Sequence, residues 1–148
     1  MATTEAQTKI SEITPSEWEL MRIVWTKQTI YSRELIELLQ QKRDWSESTI
    51  KTLLRRLVKK GLLATEKEDR RFKYTALVSE ADAMNETTQQ LFDHLCAMKQ
   101  GTTLYHLIDH LTLSQADIKQ LQQLLATKLT TAPAQVVCDC LPDECHCD

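Results

Sequence analysis

Hydrophobic positions recur every three or four residues along most of the chain, and this spacing predicts helices with one buried face. The spacing is clearest in residues 46–61, where Ser46 is a typical helix N-cap and Gly61 is a typical helix stop. The opposite face of this segment carries hydroxyl and cationic side chains, which suit a DNA major groove. A solvated basic face is the alternative interpretation. The apolar positions are Ile50, Leu53, Leu54, Leu57 and Val58.

Two shorter helices are predicted before this segment. Thr14 and Glu17 have the spacing of a capping box, with Pro15 at the first helical position, and Ser32 is a second candidate N-cap. Three short helices, of which the third is basic, follow the order of a helix-turn-helix. The stripes expected to be buried are Trp18, Met21, Val24 and Trp25 in the first helix, and Leu35, Ile36, Leu38 and Leu39 in the second.

The period changes from helical to alternating after Gly61. Residues 62–66 and 72–77 are therefore predicted to be two strands, joined by a charged turn over residues 67–71. A hairpin directly after a helix-turn-helix is the arrangement of a winged helix. The arginines of such a wing, here Arg70 and Arg71, are expected to contact phosphate or the minor groove. A solvated hairpin without a DNA contact is the alternative.

Three more amphipathic helices are predicted after the hairpin. One begins at Ser79 and ends at Gly101, one spans Leu104 to Leu111, and one begins at Ser114. Because three short helices without a sheet cannot bury their apolar faces alone, we expect a two-fold dimer, which also suits the reading of two DNA half-sites. The alternative is a monomer in which these helices pack on the winged helix.

These patterns predict a mainly α fold. It consists of a winged helix-turn-helix DNA-binding domain with a small β-hairpin wing, a helical dimerisation region and a cysteine-rich tail. The predicted boundaries are a flexible leader over residues 1–12, the winged helix over 13–78, the three-helix dimerisation region over 79–130, and a linker with the metal-binding tail over 131–148. A chain of 148 residues is long enough for one small domain and an accessory one.

The formal net charge of -3 conceals a strong asymmetry between the two halves of the chain. Residues 1–78 hold 15 basic and 11 acidic residues, whereas residues 79–148 hold 3 and 10. Residues 42–73 alone hold 11 basic and 5 acidic residues, so an acidic isoelectric point does not argue against DNA binding. No apolar run reaches membrane-spanning length and no signal-peptide core is present. A cytoplasmic protein without a membrane partner is therefore expected.

Four of the five cysteines lie in the last eleven residues, in the pattern CxCxxxxCxC. Clustered cysteines in a cytoplasmic chain indicate metal ligands before disulfides, and thiolates suit Cu(I), Zn(II) and heavier soft ions. The same four sulfurs suit one tetrahedral Zn(II) or a compact pair of Cu(I) ions. Cys96 stands apart and is expected to be a buried or half-buried apolar residue. The candidate ligands are Cys138, Cys140, Cys145 and Cys147.

Three stretches resemble the penicillinase-repressor family of winged-helix repressors: TPSEWELMRIVW, SESTIKTLLRRLVKKGLL and RRFKYTALV. The cysteine tail is similar to that of the copper-responsive, CopY-type members of this family. The resemblance extends from about Ile13 to the C-terminus. It implies a homodimer that binds a palindromic operator of the TACA…TGTA kind and represses a copper-export operon.

Carried over by position, the resemblance also implies which residues bind double-stranded operator DNA and metal. It implies one Zn(II) per chain in the DNA-binding form and two Cu(I) per chain in the form that leaves the operator, with a copper chaperone as a candidate metal donor. The implied ligands are the four tail cysteines. The DNA contacts assigned in this way are Ser48, Thr49, Lys51, Thr52, Arg55, Arg70 and Arg71. The basic face of the same helix adds Lys59 as a phosphate contact.

Two alternatives to copper-dependent release are left open by the sequence. The first is a copper or zinc buffer or chaperone without specific DNA binding, against which the basic residues 42–73 argue. The second is a repressor released by proteolysis, as in β-lactam-responsive members that are cut at an Asn-Phe bond. Residues 103–108 read TLYHLI without that bond, which favours metal as the signal. No catalytic triad, phosphate-binding loop or HExxH motif occurs, so an enzyme is not expected.

Overall fold

The computed structural model describes residue 10, residues 13–143 and residue 147. The chain divides into two units, Met1–Gln90 and Leu91–Asp148. No helix in the described residues is long and apolar enough to cross a membrane. The elements in chain order are α1 (Pro15–Lys27), β1 (Thr29–Tyr31), α2 (Ser32–Lys42), α3 (Glu47–Lys59), β2 (Leu63–Glu68), β3 (Arg71–Ala76), α4 (Glu80–Asp93), a 3-10 turn (Ala97–Lys99), α5 (Gln100–His110) and α6 (Gln115–Leu129).

The core of the first unit is formed by the apolar faces of α1, α2 and α3 together with residues of the sheet. Most residues of the two stripes predicted for α1 and α2 are buried, whereas Trp18, Trp25 and Leu38 are half-buried at the edge of the core. The Trp25 indole donates a hydrogen bond to the Val78 carbonyl at 2.8 Å, so its polar edge is satisfied there. Ile10 is also buried in this core. The other residues of the predicted leader lie outside the described residues.

The bounds of α3 follow its predicted signals. The Ser46 hydroxyl accepts the Thr49 amide hydrogen at 3.2 Å, which satisfies one of the free donors of the first turn. At the other end Gly61 has a φ of 78°, the left-handed conformation that closes a helix. All the predicted apolar positions of α3 are buried except Val58, which is half-buried. Packing of this face fixes the helix about its axis, so its polar face points outward.

The capping box predicted for α1 is only half present. The Thr14 hydroxyl accepts the Glu17 amide hydrogen at 3.3 Å, as a cap should. The Glu17 side chain is fully buried, and its two carboxylate oxygens lie 2.8 Å and 2.9 Å from Lys60 Nζ. Glu17 therefore ties the start of α1 to the end of α3 instead of completing the box.

The sheet has three antiparallel strands in the order β1-β3-β2, of which β1 was not predicted. Ile30 of β1 and Thr65 of β2 both pair with Tyr74 of β3. The predicted turn over residues 67–71 is too long, because β2 extends to Glu68 and β3 begins at Arg71. Asp69 takes a φ of 56° in the resulting two-residue turn, a conformation that Asp tolerates better than most residues.

The three helices that begin with α4 carry their predicted N-terminal caps at Ser79 and Ser114. The capping box at Ser114 is complete, with bonds of 3.1 Å and 3.3 Å to Asp117. The prediction that the first of these helices ends at Gly101 is wrong. Helix α4 ends at Asp93, and Gly101 lies inside α5, where an added Cβ would meet no atom within 4 Å. Most of the large apolar residues of α5 and α6 are exposed, namely Leu104, Leu107, Ile118, Leu124, Leu125 and Leu129.

Candidate DNA interface and metal centre

The exposed face of α3 carries every residue assigned to the recognition helix. The bonds at its N-terminal end are already made within the chain: the Ser46 hydroxyl lies 2.9 Å from the Thr49 hydroxyl, and Thr52 donates to the Ser48 carbonyl at 2.9 Å. These hydroxyls would contact a base by sharing or exchanging these bonds. The exposed residues are Ser48, Thr49, Lys51, Thr52, Arg55 and Lys59.

The cations of this face differ in their partners. Lys51 lies 3.3 Å from Glu47, one turn before it on the same helix. Among the residues described, Arg55 and Lys59 take part in no ion pair and no side-chain hydrogen bond. Their charge is therefore uncompensated by the protein, which is the condition that favours an anionic partner such as the DNA backbone.

The two arginines assigned to the wing are not equivalent. Arg70 is exposed in the turn between β2 and β3. The Arg71 guanidinium carbon lies 4.2 Å from the centre of the Tyr31 ring, a cation–π contact between β3 and β1. Arg70 therefore projects from the wing without a described partner, whereas Arg71 also helps to hold the sheet together.

Glu68, the last residue of β2, is the centre of a hydrogen-bonded group at the base of the wing. Its carboxylate accepts from Lys73 Nζ at 2.8 Å and from the Tyr31 hydroxyl at 2.6 Å. The hydrogen bonds from Lys73 and from Tyr31 hold the pKa of Glu68 below its ordinary value of 4.5. The bond to Glu68 raises the pKa of Tyr31 in turn. These contacts join all three strands near the base of the turn.

Four cysteine sulfurs of the second unit lie within 4.8 Å of one another: Cys96, Cys138, Cys140 and Cys147. The Cys96 and Cys138 sulfurs are 3.7 Å apart, and those of Cys140 and Cys147 are 3.5 Å apart. Tetrahedral zinc with Zn–S bonds of about 2.3 Å places its sulfurs about 3.8 Å apart, so this spacing fits a soft metal ion. Cys145, the remaining predicted ligand, lies outside the described residues.

Cys96 is held in place by the turn that follows α4. The Cys96 carbonyl accepts the Lys99 amide hydrogen at 2.9 Å, and the Gln100 side chain donates to the Phe92 carbonyl at 2.8 Å. The tail meets the same turn at a second point, where Asp139 Oδ1 accepts the Ala97 amide hydrogen at 2.8 Å. The cluster is thus formed by a helical turn and the tail together.

The pKa values of two thiols in the cluster, those of Cys96 and Cys140, are shifted in opposite directions. Partial burial alone raises the pKa of the Cys96 thiol, but hydrogen bonds from the Cys140 thiol and the Met98 amide outweigh it, so this pKa lies below the ordinary value of 9.0. Hydrogen bonds to Cys147 and Cys96 raise the pKa of Cys140 to about 12. Because a metal binds the thiolate, a bound ion would displace the Cys140 proton.

The sulfur of Cys138 is disulfide-bonded in this structure, whereas Cys96, Cys140 and Cys147 are not part of a disulfide. A disulfide sulfur has no thiolate charge to offer a metal. Cys138 can therefore serve as a ligand only in the reduced protein, and metal binding by all four sulfurs of the cluster requires a reducing environment.

Sequence reasoning missed two parts of these surfaces. It did not predict the strand that contains Tyr31, because three residues are too few to show an alternating pattern. It treated Cys96 as an isolated apolar residue, because 42 positions separate it from Cys138 and no ligand-spacing rule covers such a distance. The isolated position of Cys96 among five cysteines was the available signal.

The sequence model of one protein family, described as penicillinase repressor, matches residues 13–127. A 16.5 kDa protein from the ptsI 3′ region of Latilactobacillus sakei is 64% identical over 93% of this chain and 94% of its own length. The methicillin resistance regulatory protein MecI of Mammaliicoccus sciuri is 34% identical over 81% of this chain and 98% of its own. The Bacillus licheniformis BlaI monomer, solved with the blaP half-operator, is 41% identical over 49% of this chain and 89% of its own, with a TM-score of 0.45.

Proposed function

Because the chain belongs to the penicillinase repressor family, we propose that it is a metal-responsive repressor whose signal is copper. It binds a palindromic operator as a homodimer in its Zn(II) form and leaves the operator when Cu(I) replaces Zn(II) at its cysteines. The genes it controls are then those of copper export and homeostasis. Family membership itself confirms the coarser expectations, which are a DNA-binding repressor with a winged helix and no enzymatic role.

The observation that carries the metal-responsive part is the cluster of four sulfurs within 4.8 Å in the second unit. Thiolates prefer soft ions, so this donor set favours Cu(I) and Zn(II) over magnesium or calcium. We propose Zn(II), one per chain, as the ion of the DNA-binding form and Cu(I), two per chain, as the inducing ion. Copper binds this cluster as a signal, and DNA release follows if copper binds the DNA-free state more tightly than the bound one.

On the DNA side, the proposal assigns base contacts to the hydroxyl residues of the N-terminal half of α3 and to Arg55, and phosphate contacts to Lys59 and to the wing. The unpaired charges of Arg55 and Lys59 support this division. The Arg71 contact with Tyr31 makes Arg70 the better candidate for a phosphate at the wing. We also propose that the protein binds its operator in the cytoplasm, where the chromosome lies. A copper chaperone as the metal donor stays a prediction from the sequence.

A second copy of this chain is the proposed partner of the exposed apolar faces of α5 and α6. Leu107 is 40% exposed on α5, and Leu125 is 54% exposed on α6. Apolar surface in this amount on two successive helices is unusual for a chain that works alone. A two-fold dimer covers identical faces with each other and gives the two recognition helices that a palindrome requires.

Each of the two alternatives is opposed by one observation. A metal buffer would not require the cations Arg55 and Lys59, which have no ion-pair partner among the described residues, on the exposed face of α3. Release by proteolysis at an Asn-Phe bond has no matching site in residues 103–108, which lie within α5.

The test of this proposal is a variant in which Cys138, Cys140, Cys145 and Cys147 are all changed to serine. We expect it to bind a TACA…TGTA duplex as the parent does and to stay bound when Cu(I) is added without oxygen. The measurement is fluorescence anisotropy of the labelled duplex, with a shuffled duplex as control. Release of this variant by copper, at the concentration that releases the parent, would remove the tail cysteines from the mechanism.

A further inference from the structure

We propose that Cys96 is a metal ligand alongside the tail cysteines, so that metal binding fixes the tail on the turn between α4 and α5. The inference rests on the proposed function only in requiring that the tail bind a metal. It adds a ligand from outside the CxCxxxxCxC pattern, and this ligand comes from the helical part of the second unit.

The first support is the position of the Cys96 sulfur. It lies 3.7 Å from the Cys138 sulfur and within 4.8 Å of those of Cys140 and Cys147. The edge of a tetrahedral zinc–thiolate site is about 3.8 Å, so Cys96 is already at a ligand's distance from its neighbours. In the reduced protein, a small contraction of the group around one ion would bring all four sulfurs into its coordination sphere.

The second support does not involve sulfur. Asp139, between two of the tail cysteines, accepts the Ala97 amide hydrogen at 2.8 Å. This bond places the tail against the residue that follows Cys96. The turn itself is fixed by the Gln100 side chain, which donates to the carbonyls of Phe92 and Leu95 at 2.8 Å and 3.3 Å. The tail and the turn therefore meet through the backbone as well as through the sulfurs.

The assignment of Cys96 gives metal occupancy a physical connection to the rest of the chain. Cys96 follows the last turn of α4, whose first residues belong to the first unit. Ala83 of the same helix is fully buried in the core that supports α3. Cys96 therefore follows a helix that is continuous across the boundary between the two units. Metal bound by the tail alone would lack this connection.

The first test measures protection of each cysteine from alkylation. The full chain is reduced with a phosphine, loaded with Zn(II) alone and treated with N-ethylmaleimide, and each cysteine is followed by mass spectrometry. We expect Zn(II) to slow the alkylation of Cys96 by the same factor as that of Cys140. Alkylation of Cys96 at its metal-free rate, while the tail cysteines are protected, would overturn the inference and leave the proposed function standing.

The second test separates ligation from shielding by a docked tail. Cys96→Ser should weaken Zn(II) binding, measured by competition with a chromophoric chelator, by at least about tenfold. Met98→Leu, which removes the other sulfur of this turn, should leave Zn(II) affinity unchanged. Equal Zn(II) affinity of Cys96→Ser and the parent would overturn the inference. Failure of Zn(II) to protect any cysteine of the parent would instead remove both the inference and the metal-responsive part of the proposed function.

Discussion

Arg55 and Lys59 stand one helical turn apart on the exposed face of α3, and both lack an ion-pair partner among the described residues. Their chemistry differs. A guanidinium is a planar donor that matches the O6 and N7 edge of guanine, whereas an ammonium is a point charge that suits a phosphate. We therefore assign sequence reading to Arg55 and sequence-independent attraction to Lys59.

The change Arg55→Ala should cost about 1–3 kcal/mol of operator binding and should relax preference at a single operator position. The measurement is a set of anisotropy titrations against duplexes with one substitution each. An equal loss on every duplex would show that Arg55 contacts phosphate instead of a base.

The change Lys59→Ala is the matched comparison. It should weaken binding to operator and to shuffled DNA by the same factor, and should lower the slope of log affinity against log salt concentration by about one. A loss confined to the operator would assign Lys59 to a base edge.

The buried pair of Glu17 and Lys60 leads to a stability prediction. Lys60→Ala leaves the Glu17 carboxylate buried without its cation, so unfolding in urea should require on the order of 3 kcal/mol less free energy. Lys59→Ala, one residue earlier and exposed, should change this free energy by less than about 0.5 kcal/mol. Similar stability of the two variants would mean that solvent reaches Glu17 readily.

At the scale of elements, the wing depends on Glu68. Its pKa is lowered by Lys73 and Tyr31, so its ionised form contributes stability above its ordinary pKa of 4.5. This contribution is lost as the pH falls from 4.5 through the lower pKa of the folded state. The bonds concerned join β1, β2 and β3, so the loss should be felt by the whole sheet.

The parent should therefore exceed Glu68→Gln in unfolding free energy at neutral pH, and the difference should vanish as the pH is lowered below 4.5. Urea titrations monitored by tryptophan fluorescence at successive pH values measure this. Tyr31→Phe, which removes one of the two bonds, should reduce the pH dependence in part. A difference that stays constant over the same pH range would show that Glu68 gains nothing from its ionised state.

The exposed apolar faces of the helices in the second unit lead to a prediction about dimer formation. Leu125→Glu places a charge on the apolar face of α6, so it should weaken or abolish the dimer. Gln123→Glu, which lies on the opposite side of the same helix, should leave the dimer intact. Sedimentation velocity over a range of protein concentrations distinguishes them. A parent that sediments as a monomer at all concentrations would rule out a second copy as the partner.

Much of the fold could be predicted from local sequence signals. Ser46, Gly61 and Ser114 lie at helix ends as predicted, because capping depends on a few neighbouring residues. The position of Gly101 misled the prediction, since Gly also occurs inside helices. The confirmed resemblance to penicillinase repressors rests on the same local stretches.

The rest could not be predicted because it depends on contacts between distant positions. The short strand that ends at Tyr31 exists only by pairing with β3. Glu17 was predicted to complete a capping box, because its actual partner, Lys60, lies 43 residues away and is not visible from the local sequence. Cys96 meets the tail across a similar distance. Such pairs leave no period in the sequence, and a single sequence does not show which distant residues meet.

At the scale of the whole molecule, the asymmetry of charge matches the division of labour that we propose. The basic residues belong largely to the unit with the winged helix, and the second unit holds the cysteine cluster. Metal occupancy must then change the affinity of one unit for DNA from the other. Linkage requires the reverse as well, so operator DNA should weaken Cu(I) binding by the factor by which Cu(I) weakens DNA binding.

The most direct measurement is a titration of Cu(I), under anaerobic conditions, into the reduced zinc-loaded protein bound to a TACA…TGTA duplex. Anisotropy reports the DNA, and a zinc-sensitive dye reports the displaced ion. We predict that release of DNA and release of zinc proceed together and are complete near two Cu(I) per chain. Full zinc displacement with the DNA still bound would contradict copper as the signal.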